Sequence, residues 1–225
     1  MSTTSRPGHR PPPARDGWVA LVPVKPPARG KSRLVGLDDD SRRALASAFA
    51  LDTVTACLAT PDVGQVLVVT DDAGFAGSLR ALGAACIPDG DSGDLNATLC
   101  QAAAEAERRW PTLRPVALCA DLPALRPHDL AAGLEALGVA SRSAAAFVPD
   151  AAGVGTTAYA AAYDDFAPRY GGASRRAHLG AGCTEVAHAP ATLRRDVDDL
   201  VDLQAATALG LGPRSAAVVA ALGLF

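Results

Sequence analysis

A basic loop follows the first apolar run of the sequence, residues 18–22. Lys25, Lys31 and Arg33 stand in this loop. Ammonium groups and backbone N–H groups placed just after a strand can surround the phosphates of a nucleotide. The spacing fits neither G-x-x-x-x-G-K-[ST] nor G-x-G-x-x-G, so neither a P-loop nor an ordinary dinucleotide fold is predicted. Taken alone, the loop is explained more simply as solvated basic surface.

Two acidic positions could hold a divalent cation. Asp121 follows the apolar run 116–120 directly, and Asp196 and Asp198 alternate, so both project to one side if the chain is extended there. A carboxylate at the end of a buried strand needs a partner such as Mg²⁺. The competing interpretation is local. Asp121 then serves as a turn or cap residue, and Asp198 or Asp199 starts the next helix.

Two glycine-rich segments are candidate anion sites. In the segment 153–157, Gly-Val-Gly-Thr-Thr, the glycines let an anion approach the backbone closely and the threonines supply hydroxyl donors. A simple turn into a strand explains the segment too. The segment 170–176 opens a short predicted helix, whose N-terminus attracts anions. A nucleophilic pair of Ser174 with His178 has no G-x-S-x-G elbow to support it.

The elements that must position these residues alternate between strand and helix. Strands are predicted near 18–22, 66–69, 84–87, 116–120 and 144–148, with helices near 41–60, 73–82, 95–110 and 127–137. Continuous apolar strands between helices are typical of a buried, mainly parallel sheet. We therefore predict an α/β fold with a Rossmann-like sheet, whose ligands bind at the carboxyl ends of the strands.

Composition narrows the class of protein. The chain of 225 residues is 49% apolar with a net charge of −3, which argues against a nucleic-acid surface. No apolar run approaches the roughly 20 residues that span a bilayer, and no signal peptide is evident, so we expect a cytoplasmic protein without a membrane partner.

Residues 1–16 are predicted to be a disordered tail, and residues 17–225 one domain. The five cysteines are expected to be free thiols. A homodimer is left open.

The order of four motifs resembles a known family. These are V-P-V-K-x-P-x-x-G-K-S-R-L at 22–34, A-D-L-P-A-L at 120–125, G-x-G-T-T at 153–157 and D-V-D at 196–198. The sequence is similar to the guanylyltransferases of coenzyme F(420) biosynthesis over about residues 18–215. The resemblance implies the fold of the nucleotide-diphospho-sugar transferases and of molybdopterin guanylyltransferases. It also implies the transfer of GMP from GTP to phosphoenolpyruvate or 2-phospho-L-lactate.

The resemblance also implies roles for individual residues. Lys25, Lys31 and Asp121 would be the catalytic residues, with Mg²⁺ held by Asp121 and Asp196 and with Asp198 as the alternative ligand. Phosphoenolpyruvate would be bound by Thr156, Gly171 and Ser174. The residues on the GTP side would be Lys25, Lys31, Arg33, Thr70, Asp71, Leu95 and Asn96.

The sequence departs from the family after the D-V-D motif. The usual D-x-D-T-P-x-D becomes Asp-Val-Asp-Asp-Leu-Val-Asp at 196–202, so the Thr-Pro helix start is missing and Asp199 is the expected cap. Phosphoenolpyruvate is the predicted acceptor, because the Ala- and Arg-rich composition resembles bacterial members that use it. 2-Phospho-L-lactate and 3-phosphoglycerate stay as alternatives. A sugar-1-phosphate nucleotidylyltransferase and a non-catalytic nucleotide-binding protein are the competing classes.

Overall fold

The alternating pattern of the sequence forms seven strands and eight α-helices in a computed structural model that describes residues 17–24, 34–90 and 93–225. The strands are β1 (Trp18–Pro23), β2 (Val63–Val69), β3 (Ala85–Ile87), β4 (Arg114–Leu118), β5 (Ala146–Pro149), β6 (Thr156–Ala160) and β7 (Thr184–Glu185). The helices are α1 (Asp39–Leu58), α2 (Ala73–Leu82), α3 (Leu95–Arg109), α4 (Pro127–Ala140), α5 (Ser174–Gly180), α6 (Ala191–Arg194), α7 (Leu200–Leu209) and α8 (Pro213–Ala221).

All seven strands join one sheet in the order β3-β2-β1-β4-β6-β5-β7. The first four are mutually parallel, as expected for strands connected by crossover helices. Strand β6 runs antiparallel to both of its neighbours, and β7 is parallel to β5. The predicted mainly parallel α/β sheet is therefore confirmed, with one reversed strand that the sequence pattern did not reveal.

Helices cover both faces of the sheet, which explains why its strands are continuously apolar. In β1, Val19 and Leu21 face the layer that contains α3, whereas Ala20 and Val22 face the layer of α1, α2 and α4. This alternation follows from the two-residue period of a strand. Because both faces are buried, polar side chains are confined to the ends of the strands.

Aspartates begin four of the helices by accepting hydrogen bonds from backbone N–H groups of the first turn. Asp38 accepts from the Ser41 N–H at 2.7 Å at the start of α1. Asp199 accepts from Val201 and Asp202 and so replaces the missing Thr-Pro start of α7. Such caps satisfy N–H groups that have no partner within the helix.

Helix α8 is capped from a distance by Asp52 of α1. The buried Asp52 carboxylate accepts from the Ser215 N–H at 2.7 Å and from the Arg214 N–H at 3.3 Å. A Cβ at Gly212 would lie 2.5 Å from the Asp52 Cγ, so only glycine fits there. The contact fastens the C-terminal helix onto α1.

We expect Asp52→Ala to lower the free energy of unfolding by about 2–4 kcal/mol, because it removes a cap and leaves buried donors unpaired. Denaturant unfolding followed by circular dichroism measures this loss. Asp52→Asn, which keeps an acceptor oxygen, should lose less. The control is Asp40→Ala, because Asp40 also lies on α1 but is exposed and pairs with Arg43 at the surface. An equal loss in both alanine variants would contradict the role of Asp52.

Some sequence predictions lie outside the described residues. They are the tail 1–16 and the basic loop that carries Lys25, Lys31 and Arg33. Within the described ranges, none of the helices has both the length and the apolar character needed to cross a membrane.

Candidate active site

A cleft of about 750 Å³ lies at the carboxyl ends of the parallel strands. Val24 lines it after β1, Val69 at the end of β2, and Asp121 shortly after β4. Thr156 lines it from β6, although Thr156 is the first residue of its strand. Because β6 is reversed, its beginning lies at the same sheet edge as the ends of its neighbours. The cleft therefore occupies the edge where the sequence predicted ligands to bind.

Four carboxylates converge on one side of the cleft. Val197 N–H donates to the Asp121 carbonyl at 3.1 Å, which fixes the 195–198 segment beside the end of β4. Burial raises the pKa of the Asp196 carboxyl to about 7, and the negative charges of its neighbours add to this rise. These neighbours are Asp121, Asp150 and Asp198. The predicted aspartates are thus brought together, and a cation there would relieve their mutual repulsion.

Asp150 is a site residue that the sequence analysis missed. Its buried carboxylate accepts from the Val154 N–H at 2.8 Å and from the Gly155 N–H at 2.7 Å. A Cβ at Gly155 would lie 2.5 Å from Asp150 Oδ2, so this loop requires glycine. The signal was present, because Asp150 follows an apolar strand just as Asp121 does.

The three residues predicted to bind the acceptor line one wall of the cleft. Thr156 contributes from β6, Gly171 from the preceding loop of α5, and Ser174 from the first residue of α5. The Arg175 N–H donates to the Val154 carbonyl at 3.1 Å, which joins the two predicted anion segments. Thr157 does not line the cleft, and its buried hydroxyl has no partner in the described part of the chain. Thr156, Gly171 and Ser174 stay predictions as binding residues.

Serine 174 and histidine 178 do not form a nucleophilic pair. The His178 ring instead bonds through Nδ1 to the Thr156 hydroxyl at 3.0 Å. His178 Nε2 accepts the Arg169 N–H at 2.9 Å. The ring therefore connects β6 to the loop before α5.

The residues predicted for the nucleoside differ in their relation to the cleft. Leu95 lines the cleft, whereas the Asn96 amide bonds in both directions with the Tyr170 backbone, at 2.7 and 3.0 Å. Asn96 thus ties α3 to the loop that carries Gly171.

Thr70 and Asp71 do not line the cleft themselves. Asp71 accepts the Asp89 N–H at 2.8 Å, and Asp89 in turn lines the cleft and bonds to Thr98. Thr70 is buried and accepts the Asp72 N–H at 3.3 Å. The nucleoside roles of Thr70, Asp71, Leu95 and Asn96 stay predictions.

The charge of the cleft is strongly unbalanced among the residues that the structure describes. Seven aspartates line it, namely Asp89, Asp121, Asp150, Asp196, Asp198, Asp199 and Asp202. The one cationic side chain in this described lining, Arg195, is paired with Asp202 at 2.9 Å. Pro23 and Val24, the last described residues before the basic loop, also line the cleft.

No three His, Cys, Asp or Glu side chains within residues 17–24, 34–90 and 93–225 form a group that could hold a metal ion unaided. Magnesium in nucleotide-processing enzymes is commonly bound by one or two carboxylates together with substrate phosphates and water. The carboxylate oxygens of the aspartates that line the cleft are the kind of ligand that Mg²⁺ prefers.

Comparison with solved structures identifies the fold. The chain matches a crystal structure of a nucleotide-diphospho-sugar transferase from Desulfovibrio desulfuricans with a TM-score of 0.60 and 20% identity, covering 82% of this chain and 84% of that one. It also matches a 4-diphosphocytidyl-2C-methyl-D-erythritol synthase with a TM-score of 0.54 and 15% identity, covering 86% of this chain and 98% of that one. At these identities the likeness shows the fold alone.

Comparison of sequences identifies the family. No protein-family model matches the chain. It is 48% identical to a phosphoenolpyruvate guanylyltransferase of Streptomyces coelicolor over 91% of this chain and 97% of that protein. It is 46% identical to one of Thermomonospora curvata, over 92% of this chain and 91% of that protein. Identity at this level across nearly the whole length shows that the chain belongs to the phosphoenolpyruvate guanylyltransferase family of nucleotidyltransferases.

Proposed function

We propose that this chain transfers GMP from GTP to phosphoenolpyruvate, giving enolpyruvyl-diphospho-guanosine and pyrophosphate, as a step of coenzyme F(420) biosynthesis. The observation that carries the proposal is the near-full-length identity to the two guanylyltransferases. The cleft supports it, because carboxylates line one wall while hydroxyl and backbone donors line another. A cytoplasmic enzyme is part of the proposal, since GTP is supplied there.

The reaction needs no general base. The acceptor phosphate is already anionic near neutral pH, so one of its oxygens can attack the α-phosphorus of GTP. A new P–O–P linkage forms as the bond between the α-phosphorus and the bridging oxygen breaks, and pyrophosphate leaves with that bonding pair. Positioning and charge neutralisation are then the main tasks of the protein.

We propose that Asp121 and Asp196 hold Mg²⁺, with Asp198 as the alternative to Asp196. When bound, the ion supplies positive charge to phosphate groups that otherwise repel each other and the acidic wall. The state of Asp196 supports this assignment, because burial and, after it, the negative charges of the nearby carboxylates raise its pKa to about 7 without a cation.

We propose that Thr156, Gly171 and Ser174 bind the carboxylate and phosphate of the acceptor, and that Lys25, Lys31 and Arg33 contact the GTP phosphates. Both substrates are polyanions, whereas the described cleft lining is acidic. Positive charge from the basic loop is therefore an essential part of the proposal.

A pyrophosphate-release assay with the full chain tests the function. GTP and Mg²⁺ are held constant while phosphoenolpyruvate, 2-phospho-L-lactate, 3-phosphoglycerate and a sugar 1-phosphate are supplied in turn. We expect the highest kcat/KM with phosphoenolpyruvate, and loss of pyrophosphate release when EDTA removes the metal. ATP and CTP in place of GTP measure the choice of base.

Each other outcome selects a different function. Preferential turnover of 2-phospho-L-lactate or 3-phosphoglycerate would keep the guanylyltransferase and change its acceptor. Turnover with the sugar phosphate alone would indicate a sugar-1-phosphate nucleotidylyltransferase. Binding of GTP without pyrophosphate release from any pair would indicate a non-catalytic nucleotide-binding protein. A homodimer stays a prediction, which analytical ultracentrifugation of the same sample measures.

A further inference from the structure

We infer that His178 is a positioning residue of the acceptor site, because its ring fixes the Thr156 hydroxyl as a hydrogen-bond donor directed into the cleft. The inference rests on the proposed function insofar as that donor serves the acceptor's carboxylate or phosphate. It adds a residue that does not itself line the cleft.

The backbone determines which ring nitrogen of His178 carries the proton. The Arg169 N–H lies 2.9 Å from Nε2 and can only donate, so Nε2 must be the acceptor and carry no hydrogen. In a neutral ring the hydrogen then belongs to Nδ1. Nδ1 lies 3.0 Å from the Thr156 Oγ1, so the ring donates and the hydroxyl oxygen accepts.

The surroundings of the ring keep it neutral. His178 is completely buried and stacks against Phe147 and Tyr159, with centroid distances of 5.1 and 5.0 Å. Burial lowers the pKa of His178 to about 4, a hydrogen bond with the Ser174 backbone partly offsets this, and the charge of Arg169 adds to the lowering. A protonated ring would also lose the bond from the Arg169 N–H. One tautomer is therefore selected near neutral pH.

The His178 tautomer determines where the hydrogen of the Thr156 hydroxyl can point. Its oxygen accepts from His178, so its own hydrogen cannot point at the ring. Among the described residues, the Thr156 hydroxyl has no other hydrogen-bond partner, and Thr156 lines the cleft together with the aspartates and Gly171. A carboxylate or phosphate oxygen of the substrate can accept the hydrogen of the Thr156 hydroxyl. A hydrogen bond to such a charged group is stronger than one to a neutral group.

The same ring connects the segments that carry all three predicted acceptor residues. It contacts Thr156 directly, the Ser174 backbone, and the N–H of Arg169, two residues before Gly171. One buried side chain therefore contacts all three segments of the predicted acceptor site.

Two independent measurements test the inference. Nitrogen-15 NMR of the full chain at neutral pH should show one histidine as the Nδ1–H tautomer, identified by its absence in His178→Gln. In kinetics with GTP and Mg²⁺, His178→Gln keeps an amide that can accept the Arg169 N–H but has no donor at the Nδ1 position. We expect KM for phosphoenolpyruvate to rise roughly tenfold in this variant, with KM for GTP nearly unchanged.

A double-mutant cycle separates this role from a merely structural one. Thr156→Val should raise KM for phosphoenolpyruvate roughly 10- to 100-fold, and His178→Gln should then add less than about twofold, because the hydroxyl that it positions is gone. His188→Gln, a substitution of an exposed histidine, should match the wild type.

The outcomes also separate this inference from the proposed function. Effects of His178→Gln and Thr156→Val that simply multiply would overturn the inference, as would an Nε2–H or charged His178 ring at neutral pH. Absence of pyrophosphate release by the wild type with every acceptor would instead reject the function, and the NMR result would still decide the tautomer. If His178→Gln does not fold, the wild-type spectrum assigned through Phe147 and Tyr159 contacts decides it.

Discussion

Asp121→Asn and Asp196→Asn should each lower turnover at least about a hundredfold, the effect of removing a group that stabilises transition-state charge, while the protein stays folded. Each substitution keeps the size of the side chain and removes one of the carboxylates that converge in the cleft. Without a full charge there, Mg²⁺ is held more weakly, and the phosphates lose the cation that offsets their repulsion. Steady-state pyrophosphate release across a range of Mg²⁺ concentrations measures the loss.

The stability of the same variants distinguishes a metal site from a structural site. Asp196 is destabilised by burial and by three neighbouring acidic groups, so Asp196→Asn should have a melting temperature without Mg²⁺ at or above that of the wild type. The increase in melting temperature that Mg²⁺ and GTP give the wild type should shrink in the variant, because a ligand that binds more weakly stabilises the folded state less.

Two further aspartates serve as comparisons. Asp198→Asn tests the alternative metal ligand. Asp198 is exposed whereas Asp196 is partly buried. The aspartate whose substitution lowers turnover more is identified as the metal ligand. Asp165→Asn changes an exposed aspartate that does not line the cleft and should match the wild type. Full turnover of Asp121→Asn at ordinary Mg²⁺ would reject its assignment.

Lys31→Ala should raise KM for GTP roughly 10- to 100-fold, because a charge-assisted hydrogen bond to phosphate is worth about 1.5–3 kcal/mol. The cleft gives the reason. Its described lining carries seven aspartates, and its one arginine is already paired. Two polyanionic substrates would meet this negative charge, so we expect cations of the basic loop to contribute to their binding.

Initial rates at varied GTP, together with direct GTP binding in the absence of acceptor, measure the effect of Lys31→Ala. Arg29→Ala is the matched control, because it removes the same charge from the same loop at a variable position of the motif 22–34. Equal losses in the two variants would mean that the loop acts only through its net charge. Unchanged GTP affinity in Lys31→Ala would mean that Lys31 is solvated surface.

The elements of the fold were predictable because their signals are local. Helix α3 was predicted at 95–110 and spans Leu95–Arg109, since its apolar spacing and the following Pro111 determine both its face and its end. Strand β4 was predicted at 116–120 but spans Arg114–Leu118, because hydrogen bonding to β1 begins opposite Trp18. The ends of strands depend on their neighbours, which the sequence pattern does not contain.

Contacts between distant parts of the chain were not predictable in the same way. Asp52 caps a helix 162 residues further on, and Asn96 bonds to Tyr170 across 74 residues. Nothing in the local spacing of Asp52, Asn96 or His178 indicates these partners. Asp150 differs, because it follows an apolar strand directly. The same position made Asp121 a candidate site residue, so Asp150 could have been predicted too.

By itself, the sequence determined which chemistry this protein carries. Acidic and basic side chains follow apolar strands in an order of motifs that matches one family, and ligands of such a sheet bind at the carboxyl ends of its strands. Only the tertiary structure decided which of them meet. Because β6 pairs antiparallel with β4 and β5, its first residue, Thr156, lies beside the strand ends that carry Asp121 and Asp150. Strand direction depends on long-range pairing, which no local pattern specifies.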